Sequence, residues 1–467
     1  MLPPEFTERI RTQHFIDADS LTDALGRSAV TSVRVNRLKW PHRITAYEQV
    51  EWEPDGYYLP GRPLFTADPL FHAGVYYPQE SSSMFMGEMF RQLTAGMSAL
   101  RVLDLCGAPG GKSTHLAQLL GDDGLLVANE VIRSRASVLA ENVTKWGTGN
   151  VIVTVADPSR MALLPGFFDV IVADVPCSGE GMFRNSAAVA EWSPENARLC
   201  SERQRRIVMD SWPALRPGGV LIYSTCTFNP AENEENISWV RDNTGAVPLT
   251  VDLPPGSPVV KIHYRGVEGY GFHPGRVKGD GFFISALRKP EAADDHEGRM
   301  LHRAGGAPEI RISRSATVRP SSRAFDLSEP LASFDRNRVV MQEGRIIALA
   351  ADTGLYSYIE KNLPVIKSGT MIGEMKHGVL IPAHDLAMSV RAREEAWPGH
   401  ALTLKESLRY LRLEPPDASL MITGRILVKY RGVPLGFANN LGNRVNNGYP
   451  RAWRIMMASR GEMGEIL

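Results

Sequence analysis

The middle of the chain alternates two hydrophobic rhythms. Short apolar runs rich in β-branched residues recur at RVLDLC (101–106), LLVANE (125–130), VIVTVAD (151–157), FDVIVADVPC (168–177) and VLIYSTC (220–226); their composition and length predict strands. Between them lie amphipathic stretches, among them RSRASVLAENVTKWG (133–147) and PENARLCSERQRRIVMDSWPAL (194–215). The second opens after Ser193-Pro194, a helix-start signal. Strand–helix alternation predicts an α/β, Rossmann-like domain over about 86–289, its mostly parallel sheet covered by helices on both faces. GFFISALR (281–288) fits one more, closing strand.

The flanks read differently. Residues 1–85 mix a helical start with alternating segments such as SVRVNRL (32–38), predicting a small N-terminal α+β domain. The charged, Ala/Gly/Pro-bearing stretch that starts at Lys289 predicts a linker over 290–309. From 310 to 467 follows a β-richer region containing GRIIALA, GVLIPAHDLAMSV, LTLKESLRYLRL and GRILVKYRGVPLGFANN.

Composition adds limits. With 467 residues, 43% hydrophobic and 22% charged, the chain can build two or three cores. No apolar run of roughly 18 residues goes uninterrupted by charge, and MLPPEFTERIRTQ lacks the apolar core of a secretory signal; a cytoplasmic protein is expected. The four cysteines, Cys106, Cys177, Cys200 and Cys226, form no CxxC pair, so neither zinc nor a disulfide is expected. Net charge is zero, yet Arg425, Lys429, Arg431, Arg444, Arg451, Arg454 and Arg460 fall between Ala418 and Gly461 with no acidic residue among them. Such a local basic field can bind phosphate in a neutral protein; a solvated charged face is the plain alternative.

The turn DLCGAPGGKS (104–113) lies between a predicted strand and a predicted helix. A P-loop would need glycine where Cys106 stands, and the glycine order is wrong for a dinucleotide fingerprint. The remaining ligand reading is an S-adenosylmethionine turn, set against a purely structural glycine turn. In the ligand reading an acidic residue ending the next strand, here Glu130, holds the ribose hydroxyls, and Asp157 reaches the adenine amino group. Gly107, Gly110 and Gly111 would let backbone approach the ligand.

Asp174, Pro176, Cys177 and Cys226 are placed at the carboxyl ends of strands, where open α/β sheets bind ligands. Carbon 5 of cytosine is a poor nucleophile. A thiolate adding to carbon 6 makes the ring enamine-like and able to attack a methyl sulfonium. An acid near ring nitrogen 3, a role open to Asp174 if burial keeps it protonated, would stabilise the adduct, and a base must then remove the carbon 5 proton. Cys200 reads as helix core and Cys106 as packing or cofactor wall. Asn229-Pro230 predicts a helix start just after Cys226, favouring its thiolate. Chemistry alone leaves open which cysteine attacks.

These motifs resemble the Sun-type RNA 5-methylcytosine methyltransferases, in the RsmF branch of that family. DLCGAPGGKS resembles DxCAAPGGKT, DVPCSGEGMFR (174–184) resembles DAPCSGxG, and YSTCTFNPAENE (223–234) resembles YSTCTxxPxENE. LPPEFTERI, YYPQESSSMF, HDLAMSV and PLGFANNLGNRVNNGYPRAWRI extend the likeness nearly end to end. The resemblance implies Cys226 as nucleophile, Cys177 assisting product release and Asp174 on the cytosine ring. It implies S-adenosylmethionine held by Cys106, Gly107, Ala108, Pro109, Gly110, Gly111, Lys112, Glu130, Arg135, Asp157 and Asp174. Around Asp157 the family commonly has Asp-Gly-Arg, whereas this chain has Asp157-Pro158-Ser159-Arg160.

A second cysteine in a TCT motif sets the chain apart from DNA cytosine methyltransferases, which attack from Pro-Cys. The resemblance further implies a ferredoxin-like RNA-binding N-terminal domain and a C-terminal PUA-like RNA-binding region. RNA contacts are expected from Arg425, Lys429, Arg431, Arg444, Arg451 and Arg454. Tyr430, Phe437, Tyr449 and Trp453 could stack bases, though core packing is the stronger reading for at least half of them. The expected partner is RNA, 16S ribosomal RNA before transfer RNA, bound by a monomer that needs no metal or membrane. The rival readings are a non-catalytic ribosome assembly factor and an NTP-dependent RNA factor using GGKS.

Overall fold

In a computed structural model the described residues are 2–291, 334–335, 338–377, 379–414, 422–456 and 466–467. The expected linker lies outside them from residue 292 onward.

The predicted strands form β5 (Arg101–Asp104), β6 (Leu125–Asn129), β7 (Val151–Thr154), β8 (Phe168–Asp174) and β9 (Leu215–Thr225). They pair in parallel in the order β9-β8-β5-β6-β7. Val102, Val170, Val172, Val220 and Ile222 point to one core, while Leu103, Ile171, Ala173, Leu221 and Tyr223 point to the other. Covered on both faces, these strands read as continuous apolar runs rather than alternating ones. Beyond β9 the sheet turns antiparallel through β13 (Phe282–Arg288), β12 (Val267–Phe272) and β11 (Val260–Tyr264), with β10 (Val247–Leu249) also on β13. At the other end the strand Val365–Ser368, from the C-terminal region, pairs antiparallel with β7.

The N-terminal region begins with α1 (Pro4–Thr12) and α2 (Ala18–Leu25). An antiparallel sheet follows, in the order β2 (Gln49–Val50), β3 (Glu53–Leu59), β1 (Thr31–Val35), β4 (Tyr76–Pro78). This corrects the ferredoxin-like expectation: α1 and α2 precede the sheet, no helix crosses between β1 and β2, and the α-helix between β3 and β4 is the four-residue Pro69–His72. Nor do α1 and α2 cover that sheet. Phe6, Ile10, Leu21 and Leu25 cluster instead with Phe183 and Phe228, beside the two cysteine loops.

The C-terminal region carries two four-stranded sheets, one of strands 339–342, 345–348, 370–376 and 379–382, the other of 399–401, 424–430, 433–440 and 445–447. The second sheet shares a core with the N-terminal sheet, where Val33, Leu70 and Tyr76 pack with Ile426, Val428 and Tyr449. Both ends of the chain thus brace the central sheet. Among the described residues no helix is long and apolar enough to cross a membrane.

Candidate active site

The glycine turn runs from the end of β5 to α3 (Gly111–Leu120). Gly110 has φ +121°, a backbone that residues with a Cβ rarely adopt. A Cβ on Gly107 would stand 2.7 Å from Ser113 Oγ, and one on Gly111 3.3 Å from the Tyr77 ring. Ser113 Oγ donates to Asp104 Oδ2 at 2.6 Å. Burial lifts the Asp104 carboxyl to about 6.

Arg34 of β1 locks this turn from behind. Its guanidinium is fully buried, donates to Gln79 Oε1 (2.8 Å), Thr114 Oγ1 (2.7 Å) and Gly111 O (3.1 Å), and lies over the Trp146 ring at 4.4 Å. Desolvation lowers it to about 10, against the pull of Glu53 and Asp55. Nothing in the N-terminal sequence singled it out. An arginine in a short alternating strand reads as solvent-facing.

Glu130, at the tip of β6, is buried and accepts the Ile132 N–H at 3.0 Å. Arg135 Nη1 lies 3.3 Å from its carboxylate, and Arg135 Nη2 donates to Ala108 O at 3.1 Å. Arg135 therefore ties the acidic strand tip to the glycine turn. Asp157 caps the short helix Pro158–Leu163 and accepts from Ser159 N and Oγ at 3.1 and 2.7 Å. Those bonds hold its carboxyl below the usual range. The Pro-Ser departure from the family pattern thus engages Asp157 Oδ1 locally. A glycine cradle that side chains would fill, with a buried carboxylate at the next strand tip, fits S-adenosylmethionine.

Parallel pairing of β8 and β9 brings the two cysteine loops together. Cys177 Sγ and Cys226 Sγ are 3.1 Å apart, and the Cys226 N–H points at Cys177 Sγ from 3.3 Å. The Cys226 contact, then burial, push the Cys177 thiol well up, so Cys177 is held protonated. Asp174 accepts from Lys112 Nζ at 2.9 Å and from Ser224 Oγ at 2.7 Å. Both neighbours donate, one to each carboxylate oxygen, and the Asp174 side chain is half-buried rather than buried. Burial works against the Lys112 charge, yet Asp174 and Asp104 outweigh it and hold the ammonium above its usual range.

Cys106 is half-buried beside the turn, packed against one of the two cores with its thiol raised by burial, and Cys200 is buried in α5 (Pro194–Ser211). The helix expected from Asn229-Pro230 starts later. Residues 230–233 form a turn in which Asn229 Oδ1 accepts the Ala231 N–H, and α6 runs Glu234–Thr244. Its first helical residue is therefore eight residues from Cys226, not four.

Sequence reasoning missed the bracing of these loops by α1. Glu180, fully buried, pairs with Arg9 Nη2 at 2.6 Å and accepts the Phe228 N–H at 3.2 Å, while Arg9 Nη1 donates to Phe228 O at 3.1 Å.

The C-terminal cations divide. Arg425 donates to Leu380 O at 3.1 Å and Lys429 pairs with Glu394 at 2.5 Å. Arg431 lies over Trp40 at 5.2 Å and donates to Leu467 O. Arg444, Arg451 and Arg454 are exposed; Arg460 lies outside the described residues. Tyr430, Phe437 and Tyr449 are core residues, and Trp453 is half-buried against His384.

The chain matches three family models: the 16S rRNA methyltransferase RsmB/F over residues 95–288, the N-terminal domain of 16S rRNA methyltransferase RsmF over 2–81, and the methyltransferase RsmF PUA domain over 399–455. It is 30% identical to the ribosomal RNA small subunit methyltransferase F of Klebsiella pneumoniae (strain 342), covering 93% of this chain and 92% of that protein. It is also 30% identical to the protein of the same name from Serratia proteamaculans (strain 568), covering 96% of each. A methyltransferase homolog from Pyrococcus horikoshii superposes with a TM-score of 0.50 at 26% identity, covering 62% of this chain and all of that one. The glycine cradle, the acidic strand tip and this likeness along nearly the whole chain make it a member of the ribosomal RNA small subunit methyltransferase F family, with S-adenosylmethionine as its cofactor.

Proposed function

We propose that this methyltransferase modifies carbon 5 of a cytosine in RNA, in the ribosomal RNA of the small subunit, with Cys226 as nucleophile. The observation that carries the reading is the 3.1 Å thiol pair at the tips of β8 and β9, with Asp174 on the strand leading to it. A binding scaffold needs no such pair.

Cys226 adds to carbon 6, forming the C–S bond and moving ring electron density to carbon 5. Asp174 accepts from the ring's exocyclic amino group and so orients the base, while the Lys112 ammonium beside it offsets the negative charge that addition moves toward ring nitrogen 3. Bound S-adenosylmethionine supplies the methyl sulfonium. Loss of the carbon 5 proton to a base then expels Cys226 and restores the aromatic ring; Cys177, one sulfur contact away, assists this release. The target base must leave its stack to reach the thiols. The relatives' names, together with the PUA-domain match, support ribosomal RNA as substrate. Exposed Arg444, Arg451 and Arg454 are proposed to meet its backbone.

Nucleoside analysis after incubation with labelled cofactor tests this. Label in 5-methylcytidine of small-subunit ribosomal RNA supports it. Label confined to transfer RNA would move the substrate, and label on a different base would overturn the chemistry.

A further inference from the structure

Glu232 is fully buried between the two cysteine loops. Its carboxylate touches the residue that follows each cysteine. Oε1 accepts from Ser178 N at 2.8 Å and from Gln204 Nε2 at 3.0 Å. Oε2 accepts the Ser178 hydroxyl at 2.5 Å and lies 3.5 Å from the Thr227 hydroxyl. Those two hydroxyls are themselves 3.0 Å apart.

The clamp reaches both sides of each thiol. Gln204 Nε2 also donates to Pro176 O at 3.0 Å, just before Cys177. Gln204 Oε1 accepts from Tyr223 Oη at 3.0 Å and Asn236 Nδ2 at 2.8 Å, which fixes the direction of the amide. The adjacent Asn233 accepts the Thr225 hydroxyl at 2.5 Å and donates to Thr227 O at 2.9 Å, so it holds both neighbours of Cys226. The donors to the Glu232 carboxylate are N–H and hydroxyl groups, none of them cationic. A buried carboxylate without a cation is costly, and here every bond but the one from Gln204 of α5 falls on the loops that carry the thiols.

The geometry points to Glu232 as a positioning residue: it sets the separation of the Cys177 and Cys226 sulfur atoms, and through it the passage from attack to release. This rests on the cysteine roles proposed above. Burial pushes the Glu232 carboxyl up to about 7. Either protonation state keeps the clamp, because the Ser178 and Thr227 hydroxyls can accept as well as donate. Glutamine can therefore replace Glu232, and alanine cannot. Misplacing a reacting group by about 1 Å can slow a step about 100-fold.

The test uses the full-length protein and dibromobimane, which becomes fluorescent on bridging two adjacent thiols, with peptide mapping to assign the bridge. Wild type and Glu232→Gln are expected to bridge Cys177 to Cys226 at equal rates, and Glu232→Ala about tenfold more slowly or worse. With RNA and cofactor, the alanine variant is expected to accumulate covalent protein–RNA adduct. Bridging at the wild-type rate in Glu232→Ala overturns the proposal. If that variant does not fold, the pair Ser178→Ala and Thr227→Val removes the two hydroxyl contacts to Oε2, the Thr227 one being the carboxylate's link to the Cys226 loop, and wild-type bridging there overturns it equally. Bridging needs no RNA. Slow bridging in Glu232→Ala, alongside a Cys177→Ala protein that traps no RNA, therefore supports the clamp while overturning the cysteine roles.

Discussion

Lys112 Nζ stands 2.9 Å from Asp174 Oδ2, joining the first turn of the cofactor helix to the strand that leads to Cys177. One ion pair thus couples the cofactor cradle to the strand end before the Cys177 loop. Asp174→Asn keeps the shape and the Ser224 contact but removes the charge. It is expected to lower kcat by about 10²–10³-fold in single-turnover methylation, with RNA binding by gel shift little changed.

Gly110→Ala forces a Cβ onto a backbone at φ +121°. The expected cost is about 1–3 kcal/mol, read as a lower Tm. Isothermal titration should show S-adenosylmethionine binding weakened about tenfold for each 1.4 kcal/mol spent at the cradle.

Arg34→Met leaves Gln79 Oε1, Thr114 Oγ1 and Gly111 O without their buried donor. Breaking a buried polar network from one side is expected to cost about 3 kcal/mol in denaturant unfolding. Cofactor affinity should fall with it, because Arg34 supports the first turn of α3.

Glu232 makes stability depend on pH in a defined direction. Its carboxyl moves from an ordinary 4.5 in the unfolded chain to about 7 in the fold, through burial. The folded state holds the proton more tightly, so this stability is full below about pH 4.5 and lost as pH rises through about 7. Glu232→Gln removes that dependence. Its Tm should match wild type at about pH 4 and exceed it at pH 8, by up to about 3 kcal/mol in stability.

The strands β5 to β9 were legible because residues buried on both faces write unbroken apolar runs. With the strands fixed, Asp174, Cys177 and Cys226 fell at one edge of the sheet by topology alone. Glu232 was not legible. Asn229-Pro230 looks like a helix start, which would have put Glu232 inside a helix, but the turn at 230–233 delays α6 and aims the carboxylate at the cysteine loops. The N-terminal stretch reads as a helical start, and nothing in it says that Phe6 and Ile10 pack with Phe183 and Phe228 rather than with their own sheet. The basic run between 418 and 461 looked unopposed because the partners of two of its cations lie upstream: Glu394 holds Lys429 from 35 residues away and Leu380 O holds Arg425 from 45.

The most direct measurement is a denaturing gel of Cys177→Ala expressed in cells, with nuclease treatment as control. The account predicts a slow, nuclease-sensitive band that disappears when Cys226→Ala is added, and sequencing the trapped RNA would name the target. A band from Cys226→Ala alone would reverse the cysteine roles, and no band from either variant would contradict the covalent mechanism.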